Sequence, residues 1–149
     1  MPDDNKIQIF DSRQNKIIEV DKVRKTDAEW KQLLSSEQYY VSTEQGTEMP
    51  FTCLFESHKD PGIYQCVRCG TDLFRSDVKF DSGTGWPSYY QPVSDLNIRQ
   101  ETDRSLGMQR TEVLCARCDA HLGHVFDDGP PPTGKRYCIN SASLIFLKI

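Results

Sequence analysis

A chain of 149 residues is long enough for one domain with a real core and too short for two comfortable ones. With 37% hydrophobic and 27% charged residues it has the composition of an ordinary globular protein, and no apolar run approaches the roughly 18 residues of a membrane helix. A net charge of −4 with no cluster of Lys and Arg weighs against a nucleic-acid surface, and Lys22-Val23-Arg24-Lys25, short and flanked by Asp21 and Asp27, reads as a solvated linker face.

The start, Met1-Pro2-Asp3-Asp4-Asn5-Lys6, has neither the basic nor the apolar region of a secretory signal, so a cytoplasmic location is the expectation. Ile7–Phe10 and Ile17–Val20 flank a polar turn segment and predict a hairpin. It is expected to be appended, with residues 1–25 an extension and 26–149 the main domain. Thr26-Asp27-Ala28-Glu29 is a capping box, and Trp30, Leu33 and Leu34 follow at the spacing of a short amphipathic helix. Ser35 with Gln38 signals a second start, leading into Tyr39, Tyr40 and Val41. His58, between Glu56 and Lys59-Asp60, reads as a surface residue.

Beyond Cys66 the helix signals mostly vanish. Short strand-like runs at Ile63–Cys66, Val78–Phe80, Gln109–Leu114 and Arg136–Leu147 alternate with Gly, Pro, Asp and Ser. Residues 81–88 (DSGTGWPS) and 127–134 (DDGPPPTG) are the strongest loop segments. A mainly β domain with helices on its N-terminal side is predicted.

Six cysteines fall at 53, 66, 69, 115, 118 and 138. Cys66-Val67-Arg68-Cys69 and Cys115-Ala116-Arg117-Cys118 are two C-x-x-C knuckles, which in a reducing compartment predict a tetrahedral zinc site, not disulfides. Four thiolates fill the coordination shell of zinc, so the metal is expected to be structural, pinning the long excursion between the knuckles.

Cys138 lies in Arg136-Tyr137-Cys138-Ile139-Asn140 with no other cysteine near it. In an extended segment alternate residues share a face, so Arg136, Cys138 and Asn140 stand together. A lone cysteine is often a small buried hydrophobe. A guanidinium and an amide on the same face favour instead a thiolate nucleophile, and the residues alone leave both readings open. His121 and His124 follow the second knuckle directly and read as acid/base groups beside that thiol or as structural histidines. Trp86, between Gly85 and Pro87, is either a core plug or a rigid apolar wall for a small substrate group. Two other classes stay open here: a zinc-ribbon interaction module without catalysis, and a hydrolytic zinc enzyme using His121 or His124. Four available thiolates weigh against the open metal position that the second requires.

The two knuckles, Ser82-Gly83-Thr84-Gly85-Trp86-Pro87-Ser88, the run from Asp119 to Phe126 and the run from Pro132 to Ser143 together resemble the methionine-R-sulfoxide reductase B family. The resemblance runs in order from about Thr26 to the C-terminus.

The resemblance implies a β-tent of two antiparallel sheets with a structural zinc opposite the active site. It implies Cys138 as nucleophile, His121, His124, Asn140 and Arg136 as catalytic or pocket groups, with His121 delivering the proton, and Trp86 as the wall that holds the substrate methyl. The implied substrate is methionine-R-sulfoxide in proteins or peptides, the implied reductant is thioredoxin, and a monomer is expected. Many members carry a resolving cysteine where this chain has Thr84; others carry it in an N-terminal loop, and by that likeness Cys53 is the partner of Cys138.

Overall fold

The computed structural model describes residues 5–44, 46, 59–104, 107 and 109–148. Cys53 and His58 therefore lie outside the described residues. The predicted hairpin is present: β1 (Lys6–Asp11) and β2 (Lys16–Asp21) pair antiparallel, with Asn15 in the left-handed region at the turn. Both predicted helices form, α1 (Asp27–Leu33) and α2 (Ser36–Thr43), each opened by a complete capping box, from Thr26 to Glu29 and from Ser35 to Gln38. Trp30 is buried as its spacing predicts, but Leu33 is 65% exposed, because seven helical residues are too few to turn a full stripe inward.

Two antiparallel sheets make the body. The smaller orders β11 (Leu144–Lys148), β3 (Gly62–Cys66) and β4 (Asp72–Arg75). The larger orders β5 (Lys79–Phe80), β6 (Ser88–Tyr89), β10 (Arg136–Ile139), β9 (His121–Phe126), β8 (Arg110–Cys115) and β7 (Ile98–Asp103). The run Arg136–Leu147, read as one strand-like stretch, is broken by a single 3-10 turn at Ser141–Ser143 that carries the chain from one sheet to the other. Between the sheets lie Tyr64, Leu73, Phe74, Tyr89, Leu122 and Ile139, all fully buried, with Phe74 stacked on Tyr89 at 4.4 Å.

The N-terminal segment is knit to this body by polar contacts. Asn97, fully buried, accepts a hydrogen bond from the Phe10 amide at 2.8 Å and donates to the carbonyls of Phe10 and Asp72 at 2.9 and 2.7 Å. A buried amide side chain satisfied on both of its ends in this way latches β1 to β4. The arginines of the two knuckles are held by the same segment. Arg68 lies 4.2 Å over the Trp30 ring, and Arg117 donates to the Asp21 carbonyl at 2.8 Å while its own carbonyl accepts from Val23.

Candidate active site and metal centre

The two knuckles turn in the same way. Gly70 and Asp119 both have positive φ, and the amide of each donates at 2.8 Å to the carbonyl of the first cysteine, Cys66 and Cys115. Their sulfur atoms converge: all four lie within 4.8 Å of one another, with Cys66–Cys118 and Cys69–Cys115 at 3.5 Å. Four sulfurs each about 2.3 Å from a tetrahedral metal would stand about 3.8 Å apart, so the set fits such an ion. Hydrogen bonding to Cys115 and the other thiols pushes Cys66 and Cys118 well above the ordinary thiol range and Cys69 well below it. A divalent cation held by the four sulfurs would favour their thiolate forms.

From the second knuckle the chain enters β9, and a β-bulge follows at once. Val113 pairs with Gly123 but Leu114 pairs with His121, so Leu122 is an extra residue in the strand. The bulge brings His121 and His124 to one neighbourhood, with ring centroids 5.6 Å apart. The carbonyl of Leu122 then accepts both the backbone amide of Asn140 at 2.9 Å and its side-chain amide at 3.1 Å.

Across the large sheet the residues Glu112, His124, Cys138 and Ser88 are successive register partners on β8, β9, β10 and β6, and directly opposed residues share a face. Gly123 allows β9 to approach β10 this closely: a Cβ there would sit 2.0 Å from the Cys138 carbonyl oxygen. Ser88 donates to Ser82 at 2.7 Å, Ser82 bonds Thr84 at the same distance, and the Ile139 amide donates to the Pro87 carbonyl at 3.0 Å. These contacts fix the loop that carries Trp86.

A cavity of about 240 Å³ opens on this face. Its walls are Trp86, Thr84, Phe126, Gly123, His124, Arg110, Arg136, Cys138 and Asn140. Cys138 and Trp86 are each half-buried there, so neither is a core plug. Arg136 packs its guanidinium 4.4 Å over Phe126 and donates twice to Asp128, at 2.9 and 3.3 Å, which holds the Asp128 carboxyl below the usual range. His121 is not a wall residue: it is 3% exposed, with Nδ1 2.7 Å from Glu112 and Nε2 buried without a hydrogen-bond partner among the described residues. His124 is the histidine on the wall, its Nε2 2.8 Å from Asp103, whose Oδ2 also takes Arg110 at 3.3 Å. Burial lowers the His124 pKa, against the raising effect of Asp103.

The structure thus brings together Trp86, His124, Arg136, Cys138 and Asn140, sets His121 one layer behind, and gathers Cys66, Cys69, Cys115 and Cys118 separately. Sequence reasoning missed Asp103, Arg110 and Glu112, which look in the chain like ordinary surface charges of polar strands.

Residues 34–148 match the SelR domain family. The chain is 64% identical over 120 residues to peptide methionine sulfoxide reductase B1, chloroplastic, of Oryza sativa subsp. japonica, covering 80% of this chain and 56% of that protein. It is 59% identical over 126 residues to peptide methionine sulfoxide reductase MsrB of Herminiimonas arsenicoxydans, covering 85% and 92%. To the MsrB of Leptospira interrogans it is 56% identical over 126 residues, covering 85% and 96%. The chain therefore spans little more than half of the rice relative and more than nine-tenths of these two bacterial ones.

Proposed function

The chain belongs to the SelR family, and from that premise we propose that it is a peptide methionine sulfoxide reductase, returning methionine-R-sulfoxide in proteins and peptides to methionine. One observation carries the reading: a half-buried thiol, Cys138, shares a small cavity with an imidazole, an indole and an amide. A sulfoxide sulfur becomes a good electrophile once its oxygen accepts a proton. Cys138 as thiolate attacks that sulfur, and His124 gives its proton to the sulfoxide oxygen, with Asn140 and the His121 layer behind it holding the geometry. Trp86 packs against the S-methyl group and so sets which oxygen orientation is accepted. The substrate S–O bond breaks as the oxygen passes to the Cys138 sulfur; methionine leaves with its sulfur two electrons richer, and Cys138, two electrons poorer, is left as a sulfenic acid.

A second thiol condenses with the sulfenic acid, expelling water and forming a disulfide. Cys53 takes this role, in keeping with Thr84 at the position where many relatives carry their resolving cysteine, and a thioredoxin dithiol reduces the disulfide. Cys66, Cys69, Cys115 and Cys118 hold one structural zinc ion, which cross-links two distant turns and takes no part in the reaction. No helix among the described residues is long and apolar enough to cross a membrane. We place the protein, a monomer, in a reducing compartment such as the cytoplasm, where thiolate ligands persist.

The test is turnover of a methionine-R-sulfoxide peptide with dithiothreitol. Wild-type protein should release methionine, and Cys138→Ser should not. Turnover unaffected by Cys138→Ser would end the reading.

A further inference from the structure

Both imidazoles at the site are paired with a carboxylate from the same sheet, His121 with one on the adjacent β8 and His124 with one on β7 beyond it, but through opposite ring nitrogens. His121 meets Glu112 through Nδ1, whereas His124 meets Asp103 through Nε2. A carboxylate only accepts, so at His124 the hydrogen belongs on Nε2, and the nitrogen left over is Nδ1. We propose that Asp103 is a positioning residue for the reduction: it anchors the His124 ring through Nε2 so that Nδ1 is the atom that hands the proton to the sulfoxide oxygen.

Asp103 is itself held. It is the register partner of Arg110, and the Arg110 guanidinium sits 3.3 Å from the carboxylate oxygen that His124 uses. The Asp103 side chain is 19% exposed and that of His124 12%, so the pair lies under cover, where a single hydrogen bond fixes a ring better than it does in water. With Nε2 anchored at 2.8 Å, turning the ring over would cost that bond. When His124 gives up the Nδ1 proton it becomes the neutral Nε2–H form, which still donates to Asp103, so nothing need rearrange as the proton leaves. Carboxylates that fix the tautomer of a reacting or metal-bound imidazole act in this way, and losing one lowers activity roughly 10- to 100-fold.

The groups facing His124 are Asp103 on β7, Arg110 and Glu112 on β8, His121 on β9, and Arg136 and Cys138 on β10. Burial, Arg110 and His121 oppose a positive charge on the ring, and Asp103 favours it. Removing the Asp103 charge therefore makes His124 lose its proton at lower pH. Because Nδ1 carries a proton only in the protonated ring, the high-pH limb of kcat moves down.

The inference rests on His124 as proton donor, and the experiment separates the two. Asp103→Ala, Asp103→Asn, Asp103→Glu, His124→Ala and the Asp103→Ala/His124→Ala double variant are compared with dithiothreitol as reductant. Asp103→Ala should lower kcat about tenfold or more with little change in KM, and Asp103→Glu should recover part of the loss. Asp103→Asn, which keeps the shape, should shift the high-pH limb down. In the His124→Ala background Asp103→Ala should cost nothing further. Nitrogen NMR of neutral His124 should report Nε2–H in the wild type and a mixture of tautomers in Asp103→Ala. A crippled His124→Ala beside an Asp103→Ala of normal kcat and pH profile, or an Nδ1–H tautomer in the wild type, overturns the positioning role alone. A fully active His124→Ala overturns the donor and the positioning role together.

Discussion

Two side chains three residues apart in a plain strand point to opposite faces, yet His121 and His124 meet. The extra residue at Leu122 supplies the missing half-turn of register, and Gly123 beside it is what lets the bulged strand lie against β10. Gly123→Ala should therefore push Cys138 and its strand away, costing about 1–3 kcal/mol and most of the turnover, measurable by thermal melting and with dithiothreitol. His124 also carries a pH signature of its own. Burial holds its pKa below the ordinary histidine value, so the folded chain binds that proton less readily than the unfolded chain. Above about pH 6.5 both are neutral and the residue contributes no slope; below it the unfolded state takes up the proton first, and stability falls with pH until folded His124 titrates. His124→Gln should flatten that part of a denaturation-versus-pH curve. None of this was legible in the chain. The sequence named both histidines, but only the register across β7, β8 and β9 tells which one reaches the cavity and which carboxylate each one meets.

Among the elements, the knuckles and the hairpin differ in how plainly they could be read. C-x-x-C spacing carries its own geometry, since two thiols one turn apart bind one ion, and the sulfur cluster is where the spacing puts it. Alternation likewise put Arg136, Cys138 and Asn140 on one side, and all three line the cavity, Asn140 from just past the end of β10. The strands β4, β7 and β9 carried weaker signals, because polar residues such as Gln100, Glu101 and Thr102 make β7 look like loop. The hairpin was visible as a hairpin, but not its attachment, which depends on Asn97, a residue whose type usually marks a turn. Asn97→Ala would leave the Phe10 amide and two carbonyls without this partner; the expected loss is about 2–3 kcal/mol, with normal kcat in the protein that remains folded. A melt unchanged from the wild type would mean that β1 finds other partners. Cys66→Ser should lower stability by more, and strip the bound metal, before any change in chemistry at Cys138.

At the scale of the molecule, the four-cysteine cluster and the cavity lie at different places on one sheet system, joined by β9, which starts beside Cys118 and ends at the cavity wall. The proposed recycling would add a longer connection, between Cys138 and Cys53. Cys53→Ser should leave a single turnover intact, with about one methionine released per enzyme, and should abolish cycling with thioredoxin while dithiothreitol still supports it. Normal thioredoxin cycling by Cys53→Ser, or peptide mapping without a Cys53–Cys138 bond after oxidation by substrate, would remove Cys53 from the pathway.

The latch at Asn97 has a consequence for the order in which the chain acquires its shape. The hairpin is synthesised before the groups that hold it, which lie on Asp72, Asn97 and Arg117. Closing the loop between Cys66 and Cys118, 52 positions apart, costs about 3.5 kcal/mol of chain entropy, and a metal ion offsets part of it. Until that closure, the strand pair has no body to dock on and is a marginal two-stranded ribbon in water. On the proposed metal site, the hairpin should thus settle after the body it docks on, at a rate that depends on free metal. Pulse-labelled hydrogen exchange during refolding should show the amides of Phe10 and Ser12 protected after those of β8 and β9, with the delay lengthening as metal is withheld.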